Sequence, residues 1–411
     1  MAPVMTDERP PRRRALLLEN IHPGAADILG EAGFEVETEP RALDENELAG
    51  RLAEGNTALL GIRSRTQVTE AVLDKASHLL AVGAFCIGTN QIDLPAATRR
   101  GITVFNAPFS NTRSVVELVI AEIIALTRRL TDKNREMHAG VWSKSASGAH
   151  EVRGRRLGIV GYGNIGSQLS VLAENLGMSV AFYDTADRLA LGNARRMDSL
   201  EDLLAWADVV TLHVDGRPDN RGLFGEAEFA AMRQGSLFLN LSRGFVVDHG
   251  SLREHIESGH IAGAAVDVFL EEPSGNDTTF NSRLQGLPNV ILTPHIGGST
   301  EEAQVDIGRF VAKKLADYVR AGSTALSVNM PNVDLPARAG AHGLVHIHRN
   351  TPGVLAAINA IFAEHRINIE GQALGTRGEV GYVITDIASD YTDEMLARLA
   401  HMDETIRLRV L

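Results

Sequence analysis

One segment, RLGIVGYGNIGSQLSVLAENLGMSVAFYD at 156–184, restricts the fold of this chain more than any other. Gly161, Gly163 and Gly166 form a GxGxxG motif between an apolar strand-like run and an amphipathic helix-like run. A second strand-like run then ends at Asp184. The glycine motif alone is a weak signal, but the complete order of strand, glycines, helix and acidic residue predicts a dinucleotide-binding βαβ unit.

Each part of this motif has a physical task. Gly161 permits a tight turn, Gly163 lets the backbone approach a pyrophosphate, and Gly166 lets the helix pack closely on the strand. The N-terminus of the helix offers unpaired N–H groups to the phosphates. Asp184 would bind the ribose hydroxyls and repel a 2′-phosphate, which predicts NAD rather than NADP. Arg188, four residues later, is the nearby residue that argues against this preference.

The alternation of strand-like and helix-like runs predicts an α/β fold with parallel sheets. A chain of 411 residues is too long for a single core. Because many residues precede the glycine motif and strand-like runs continue after it, we predict a Rossmann NAD-binding domain at 111–298, inserted into a second, flavodoxin-like α/β domain. That second domain, predicted to bind substrate, is discontinuous and comprises 12–110 and 299–337.

The C-terminal region follows NMPNVDLPARAGAHG, whose Pro, Gly and Ala content predicts a linker. The runs beyond it follow the order βαββαβ. This order predicts a small ferredoxin-like domain at 341–411.

Composition limits the classes of partner. The net charge of −12 argues against a nucleic-acid or anionic-membrane surface, and an anionic substrate would need a local cluster of cations. No run approaches the length of a membrane span. The N-terminus lacks the apolar region of a signal peptide, and the single cysteine, Cys86, cannot form an internal disulfide, so we expect a cytoplasmic protein.

Three polar residues each follow a strand-like run, at the sheet edge where α/β proteins bind ligands. They are Arg243 in LFLNLSRGFVVD, Glu272 in GAAVDVFLEEP and His295 in ILTPHIGGST. Taken singly, each has an ordinary alternative: Arg243 could be a surface cation, Glu272 a solvated carboxylate and His295 a turn histidine. Together they supply what hydride transfer from an alcohol requires: a base, a carboxylate that orients it, and a cation for an anionic substrate. Gly297 and Gly298 would leave room for the cofactor.

Several of these segments resemble a known family. RLGIVGYGNIGSQL, NLSRGFVVD, AAVDVFLEEP and NVILTPHIGGSTEEAQ are similar to motifs of the D-specific 2-hydroxyacid dehydrogenases. GIRSRT, GTNQIDL, VFNAPFSNTRSVVELVI and HAGVWSK resemble the members that oxidise D-3-phosphoglycerate in serine biosynthesis. HIHRNTPGVLAAINAIFAEHRINIEG resembles their regulatory ACT domain. The resemblance covers nearly all of the chain after residue 14.

The resemblance implies NAD-dependent oxidation of D-3-phosphoglycerate to 3-phosphohydroxypyruvate without a metal, and reduction of 2-oxoglutarate as a side activity. It makes Arg243, Glu272 and His295 the catalytic residues, with Glu272 preferred over Glu271 because it directly precedes the proline of the motif. Further NAD contacts are implied for Asn164, Ile165, Ser242 and Asp267.

The resemblance also implies substrate contacts from Arg63, Ser64 and Asn111, and from Lys144 of an adjacent subunit. These matched loops also hold Arg65 and Arg113, so the local cations expected for an anionic substrate are present.

In the C-terminal domain, His348, Asn350 and Asn368 are implied to bind L-serine as an inhibitor across a two-fold interface, in a homotetramer. The alternative is that these are ordinary turn residues.

Two other functions stay open. The chain could be another D-2-hydroxyacid dehydrogenase, acting on glycerate or 2-hydroxyglutarate. It could also be an NAD-sensing protein of the same fold without catalytic activity.

Overall fold

The computed structural model describes residues 13–273, 279–336, 342–388 and 391–411. The chain divides into two compact units, one made of Met1–Pro108 and Gln304–Leu411 and the other of Phe109–Ala303. Within the described ranges, no helix combines the length and the apolar character that crossing a membrane requires.

The first part of the first unit is a parallel sheet covered by helices. Its strands are β1 (Arg14–Leu18), β2 (Glu35–Glu39), β3 (Thr57–Ile62), β4 (Ala81–Ala84) and β5 (Thr103–Phe105), and its helices are α1 (Gly24–Glu31), α2 (Glu45–Glu54), α3 (Glu70–Lys75) and α4 (Leu94–Arg99). The strand order is β2-β1-β3-β4-β5, and all neighbours are parallel. Every residue of β3 is buried, as expected for a central strand with helices on both faces. The flavodoxin-like prediction is confirmed.

The second unit contains the glycine motif in a larger parallel sheet. Its strands are β6 (Arg156–Val160), β7 (Ser179–Tyr183), β8 (Arg195–Arg196), β9 (Val209–Leu212), β10 (Ser236–Asn240), β11 (Ile261–Val266) and β12 (Val290–Leu292). Its helices are α5 (Thr112–Thr127), α6 (Leu130–His138), α7 (Asn164–Asn175), α8 (Leu200–Trp206), α9 (Glu226–Ala231) and α10 (His249–Glu257), with short 3₁₀ turns at Pro218–Asn220 and Gly244–Val246. The order β12-β11-β10-β9-β6-β7-β8 reverses its direction between β6 and β9. This is the switch point at which doubly wound sheets bind nucleotides, so the Rossmann prediction is confirmed.

The rest of the first unit begins with a long helix, α11 (Glu301–Ala321). It continues with β13 (His342–Arg349), α12 (Val354–Glu364), β14 (Ile369–Arg377), β15 (Val380–Ile387), α13 (Asp393–Ala400) and β16 (Thr405–Val410). The four strands form an antiparallel sheet in the order β14-β15-β13-β16, which is the ferredoxin-like arrangement predicted from the sequence.

One core joins this antiparallel sheet to the parallel sheet of the same unit. Ile347 and Tyr382 pack in a single apolar cluster with Tyr318 of α11. The Tyr382 hydroxyl donates to the Gly322 carbonyl oxygen at 2.7 Å, and Arg409 Nη2 donates to the Tyr318 carbonyl oxygen at 3.0 Å. The ferredoxin-like part is therefore packed against the C-terminal end of α11.

The beginning of the predicted linker is also packed. Met330, Pro331 and Val333 are buried. A methyl group added to Gly375 of β14 would come within 2.5 Å of Val333 Cγ2. Proline, glycine and alanine content predicted a linker here, and its apolar residues pack the beginning of this segment against the sheet. Residues 337–341 lie outside the described ranges.

Candidate active site

The glycine motif forms a tight turn between β6 and α7. Gly161 has φ +92°, and a methyl group on it would come within 2.5 Å of the His213 carbonyl oxygen. A methyl group on Gly166 would come within 2.3 Å of the Gly161 carbonyl oxygen. At Gly163, by contrast, the same addition meets nothing within 4 Å. Two glycines therefore allow the turn to close, while the third leaves open space at the N-terminus of α7, where Asn164 and Ile165 begin the helix.

Asp184 lies at the end of β7 beside this turn. Its Oδ2 accepts a hydrogen bond from the Tyr162 N–H at 2.8 Å, and its Oδ1 accepts one from the Ala186 N–H at 2.8 Å. Arg188 Nε lies 3.5 Å from Asp184 Oδ2. A cleft of about 330 Å³ adjoins them, lined by Tyr162, Gly163, Asn164, Ser167, Arg188, Leu189 and Leu191. The cleft thus lies at an open helix N-terminus, and Arg188 in its lining contacts the Asp184 carboxylate.

The side chains of His295 and Glu272 are in direct hydrogen-bond contact. His295 Nδ1 lies 2.8 Å from Glu272 Oε2, and the side chains are 49% and 37% exposed. Glu272 Oε1 accepts a hydrogen bond from the Phe269 N–H at 3.0 Å, which holds the carboxylate in place. His295 has φ +54°, an unusual conformation for a residue other than glycine. Backbone strain of this kind is found at functional sites more often than elsewhere.

The pair shifts the two pKa values in opposite directions, as expected for a histidine and its carboxylate partner. The hydrogen bond that His295 donates to Glu272 raises the pKa of His295 above 6.5, although burial and the charge of Arg243 oppose the shift. Burial alone would raise the pKa of Glu272, but the hydrogen bond and charge of His295 outweigh it and lower that pKa. The imidazolium form of His295 is therefore stabilised by its carboxylate partner.

Arg243 lies close enough for its charge to act on both members of this pair. It lies in the turn after β10, which ends at Asn240, and its Nη1 donates to the Ser242 carbonyl oxygen at 2.7 Å. Asn240 braces this turn, since its Oδ1 accepts from Ser242 Oγ at 2.7 Å and its Nδ2 donates to the Arg243 carbonyl oxygen at 3.1 Å. The structure therefore brings Arg243, Glu272 and His295 together, as predicted.

Asp267 anchors the loop that carries His295. Its Oδ1 accepts from Thr293 Oγ1 at 2.6 Å and from the Ile296 N–H at 2.8 Å, while its Oδ2 accepts from the Gly297 N–H at 2.8 Å. Asp267 is only 1% exposed. The side chain predicted to contact the cofactor is thus also a structural support for the His295 loop.

A second buried carboxyl group lies near Asp267. Glu122 of α5 is 3% exposed, and neither of its carboxyl oxygens has a hydrogen-bond partner among the described residues. Burial, together with the charge of Asp267, raises the pKa of Glu122 to about 8. This carboxyl group therefore holds a proton at neutral pH.

The predicted substrate residues lie in both units. In the second unit, Asn111 precedes α5, and its Nδ2 would be 2.2 Å from a methyl group on Gly298. Lys144 lies on an exposed segment of that unit, close in sequence to Trp142, which is 80% exposed. Arg63 and Ser64 directly follow β3 of the first unit.

The predicted effector residues lie at two ends of one sheet. His348 is 3% exposed near the end of β13, and Asn350 just beyond it donates from Nδ2 to the Gly378 carbonyl oxygen at 3.1 Å. The Asn368 carbonyl oxygen accepts from the Ala388 N–H, next to the β15 residue that pairs with the start of β13. The length of the strand separates these ends by roughly 20 Å. One chain alone therefore does not bring Asn368 to the other two.

Sequence reasoning did not identify Glu19, Glu122 or Thr293. Thr293 lies inside the ILTPHIGGST segment and could have been included, since a hydroxyl beside the end of a strand is a common partner for a buried carboxylate. Glu19 directly follows β1 at the same edge of its sheet as Arg63, so the strand-end rule could also have found it. Nothing in the local sequence of Glu122 distinguishes it from a polar residue on an exposed helix face.

Comparisons with known proteins identify the family and the domains of this chain. The family described as D-isomer specific 2-hydroxyacid dehydrogenase, NAD binding domain, matches residues 120–297, and an AHAS small subunit-like ACT domain matches 344–407. D-3-phosphoglycerate dehydrogenase of Haemophilus influenzae is 49% identical over 397 residues, covering 96% of each chain. The enzyme of the same name from Dictyostelium discoideum is 48% identical, covering 97% of each chain.

A solved structure supports the fold. D-lactate dehydrogenase of Aquifex aeolicus, in complex with NAD and lactic acid, superimposes with a TM-score of 0.67 at 24% identity. The match covers 78% of this chain and 100% of that one.

The chain therefore belongs to the D-isomer-specific 2-hydroxyacid dehydrogenases, an NAD-dependent family of oxidoreductases. Its similarity over nearly its whole length is to the D-3-phosphoglycerate dehydrogenases within that family. The predictions of NAD as cofactor and of this enzyme class are confirmed. The residues fit NAD, because open space at Gly163 adjoins the N-terminus of α7, where a pyrophosphate would bind, and Asp184 follows the second strand of the same βαβ unit.

Proposed function

We propose that this chain oxidises D-3-phosphoglycerate to 3-phosphohydroxypyruvate with NAD, the first step of serine biosynthesis. The observation that carries the proposal is the 2.8 Å contact between His295 Nδ1 and Glu272 Oε2, within the field of Arg243 in the NAD-binding unit. The similarity to D-3-phosphoglycerate dehydrogenases over nearly the full chain supports the choice of substrate.

His295 acts as the base in this proposal. Because the Nδ1–H donates a hydrogen bond to Glu272, Nε2 of the neutral ring carries a lone pair and can accept the proton of the substrate hydroxyl. Nε2 takes the hydroxyl proton while the C2–H bond breaks with its electron pair, leaving a ketone. Bound NAD supplies the hydride acceptor. Glu272 then stabilises the imidazolium that forms, and in the reverse direction the same imidazolium returns the proton to the C2 oxygen.

Arg243 binds the substrate carboxylate and polarises the C2 oxygen. A guanidinium suits this task because its planar fork matches a carboxylate, and it keeps its charge at any working pH. Arg63, Ser64, Asn111 and a partner's Lys144 are proposed to bind the remaining polar groups of the substrate, including its phosphate.

We assign the parts of the chain accordingly. Residues 111–298 bind NAD, 12–110 with 299–337 bind substrate, and 341–411 regulate activity. We also propose a homotetramer in the cytoplasm, and reduction of 2-oxoglutarate as a side activity because that molecule likewise joins a 2-oxo acid to a second anionic group.

The test is to mix the purified chain with NAD and D-3-phosphoglycerate and to follow NADH absorbance. Glycerate, 2-hydroxyglutarate and D-lactate serve as comparison substrates. The proposal requires the highest kcat/KM with D-3-phosphoglycerate. A higher value with another acid would assign the chain to a different substrate, and no NADH with any of them would favour a non-catalytic NAD sensor.

We further propose that L-serine inhibits the enzyme at the ACT domain. His348 Nε2 is buried without a hydrogen-bond partner among the described residues, and Asn350 lies exposed beside it. Asn368 of a second copy would complete the site across a two-fold axis. A thermal-shift panel of amino acids tests this proposal: serine should raise the Tm and lower turnover, and Asn350→Ala should abolish both effects. Stabilisation by another amino acid in place of serine would contradict it.

A further inference from the structure

The loop after β3 is held by a buried carboxylate from the neighbouring strand. Glu19 directly follows β1 and is 2% exposed. Its Oε1 accepts hydrogen bonds from the N–H groups of Arg63 at 3.1 Å and Thr66 at 2.9 Å, and its Oε2 accepts one from the Arg65 N–H at 3.0 Å. A single carboxylate therefore organises three backbone donors of one short turn.

Two further features show that this arrangement is fixed. Gln91 is 4% exposed, and its Nε2 donates to the Arg63 carbonyl oxygen at 2.6 Å, so the turn is held on its acceptor side as well. Glu19 and Asn20 have φ values of +61° and +54°, which cost energy for residues other than glycine. Two adjacent strained residues persist only where the surrounding contacts favour them.

The chemistry of the turn explains what the carboxylate accomplishes. Converging backbone N–H groups form a concavity that binds anions, and in many proteins the bound anion is a phosphate or carboxylate of a ligand. Here the protein's own Glu19 fills that position. An anionic substrate would consequently meet the side chains of the turn, since Arg63 is half-buried and Ser64 is exposed.

We propose that Glu19 is a positioning residue for substrate recognition. It holds the 63–66 turn so that Arg63 and Ser64 present their side chains to the anionic substrate, and it keeps the backbone N–H groups from capturing that anion in an unproductive position. This inference rests on the proposed function, which assigns Arg63 and Ser64 to the substrate.

Two variants of the full chain test the proposal. Glu19→Gln keeps the size of the side chain but replaces one acceptor oxygen with a donor amide that faces N–H groups. Glu19→Ala removes all three hydrogen bonds. We expect KM for D-3-phosphoglycerate to rise about tenfold or more, while kcat and the Kd for NAD change less than about threefold. Formate should restore a low KM to Glu19→Ala by entering the vacated position, while chloride at equal ionic strength should not.

Asp44→Ala is the matched control. Asp44 accepts the Glu47 N–H at the start of α2, so its loss also removes a carboxylate–backbone bond from the first unit but leaves the 63–66 turn intact. If Asp44→Ala raised KM as much as Glu19→Gln, general loosening of the unit would explain the effect and the proposal would be wrong.

Hydrogen exchange of the 63–66 peptide separates this inference from the proposed function, because it needs no substrate. Exchange should accelerate in Glu19→Gln and stay unchanged in Asp44→Ala. Unchanged exchange in Glu19→Gln would overturn the proposal even if the wild-type chain oxidised D-3-phosphoglycerate. If the wild-type chain preferred another 2-hydroxy acid, the proposed function would fail, and the same KM comparison made with that acid would still decide the role of Glu19.

Discussion

Two carboxyl groups of the NAD-binding unit, Glu272 and Glu122, show opposite behaviour. Glu272 is partly exposed and bonded to His295, and its pKa is lowered although burial alone would raise it. Glu122 is buried without a partner among the described residues, and its pKa is raised to about 8 by burial and by the charge of Asp267. The difference lies in a cationic partner, which only Glu272 has.

This comparison separates two uses of a carboxyl group. The Glu272 anion stabilises an imidazolium and so assists a proton transfer that occurs in every turnover. Glu122 keeps its own proton at neutral pH and therefore adds no second negative charge beside Asp267. Removing the partner of Glu272 should consequently affect catalysis, while removing the proton of Glu122 should affect stability.

The largest expected effect is a loss of turnover when His295, the proposed base, is replaced and its ion pair with Glu272 is broken. His295→Ala and the larger His295→Gln should both lower kcat by a factor of about 10²–10⁴, because the hydroxyl proton loses its acceptor. The Kd for NAD, measured by the quenching of protein fluorescence, should stay near the wild-type value. Turnover close to wild type in either variant would remove His295 from the mechanism.

A smaller effect follows from Glu272→Gln, expected to lower kcat about 10- to 100-fold. In the wild type, the oxidation rate should rise with pH through the raised pKa of His295, since only the neutral ring accepts a proton. Without the carboxylate that pKa falls, so the rising limb should move to lower pH. For reduction of the 2-oxo acid, which needs the imidazolium, the falling limb should move the same way. An unshifted profile would contradict the role of Glu272.

Glu122→Gln tests the other carboxyl group of the comparison, through the pH dependence of stability. Because the folded pKa of Glu122 is raised from 4.5 to about 8, the native state holds this proton more tightly than the unfolded state. Its contribution to stability therefore decreases as pH rises from 4.5 to about 8. A neutral amide avoids this loss.

At about pH 8 we expect Glu122→Gln to be more stable than the wild type by ~1–3 kcal/mol, with little difference at about pH 5. The Tm at the two pH values measures it. Glu117→Gln, on the exposed side of the same helix, is the control and should show no such dependence. A Glu122→Gln variant that loses stability at both pH values would indicate a hydrogen-bonded, ionised carboxylate.

The smallest expected effect is on the preference for NAD over NADP. It concerns Asp184, whose carboxylate accepts hydrogen bonds from N–H groups and lies near a guanidinium. Asp184 should repel a 2′-phosphate, but Arg188 at 3.5 Å compensates part of that charge. Arg188→Gln should therefore increase the preference for NAD over NADP by a factor of about 2–5 in Kd, as expected for a partly exposed ion pair. Asp184→Asn should reduce the preference. Equal NADP affinity in the wild type and Arg188→Gln would show that Arg188 does not reach the phosphate.

Much of the site could be predicted from the sequence because its parts are local. The glycines and Asp184 lie within one βαβ unit, and each proposed catalytic side chain lies in the loop after a strand. Strand ends converge at one edge of a parallel sheet, so Arg243, Glu272 and His295 could be grouped without knowledge of distances. The strand-end rule could have singled out Glu19 but not its role, and nothing local singles out Glu122. The roles of both residues depend on neighbours far along the chain.

The sequence by itself determined the fold class, the position of the glycine turn, the cofactor and the three polar residues of the candidate active site. These follow from hydrophobic periodicity and from glycines that local geometry requires. Only the tertiary structure decided that Glu122 is neutral, that Glu19 holds the 63–66 turn, and that Asn368 lies far from His348 within one chain. The physical reason is that charge, hydrogen bonding and proximity depend on what the fold places around a side chain.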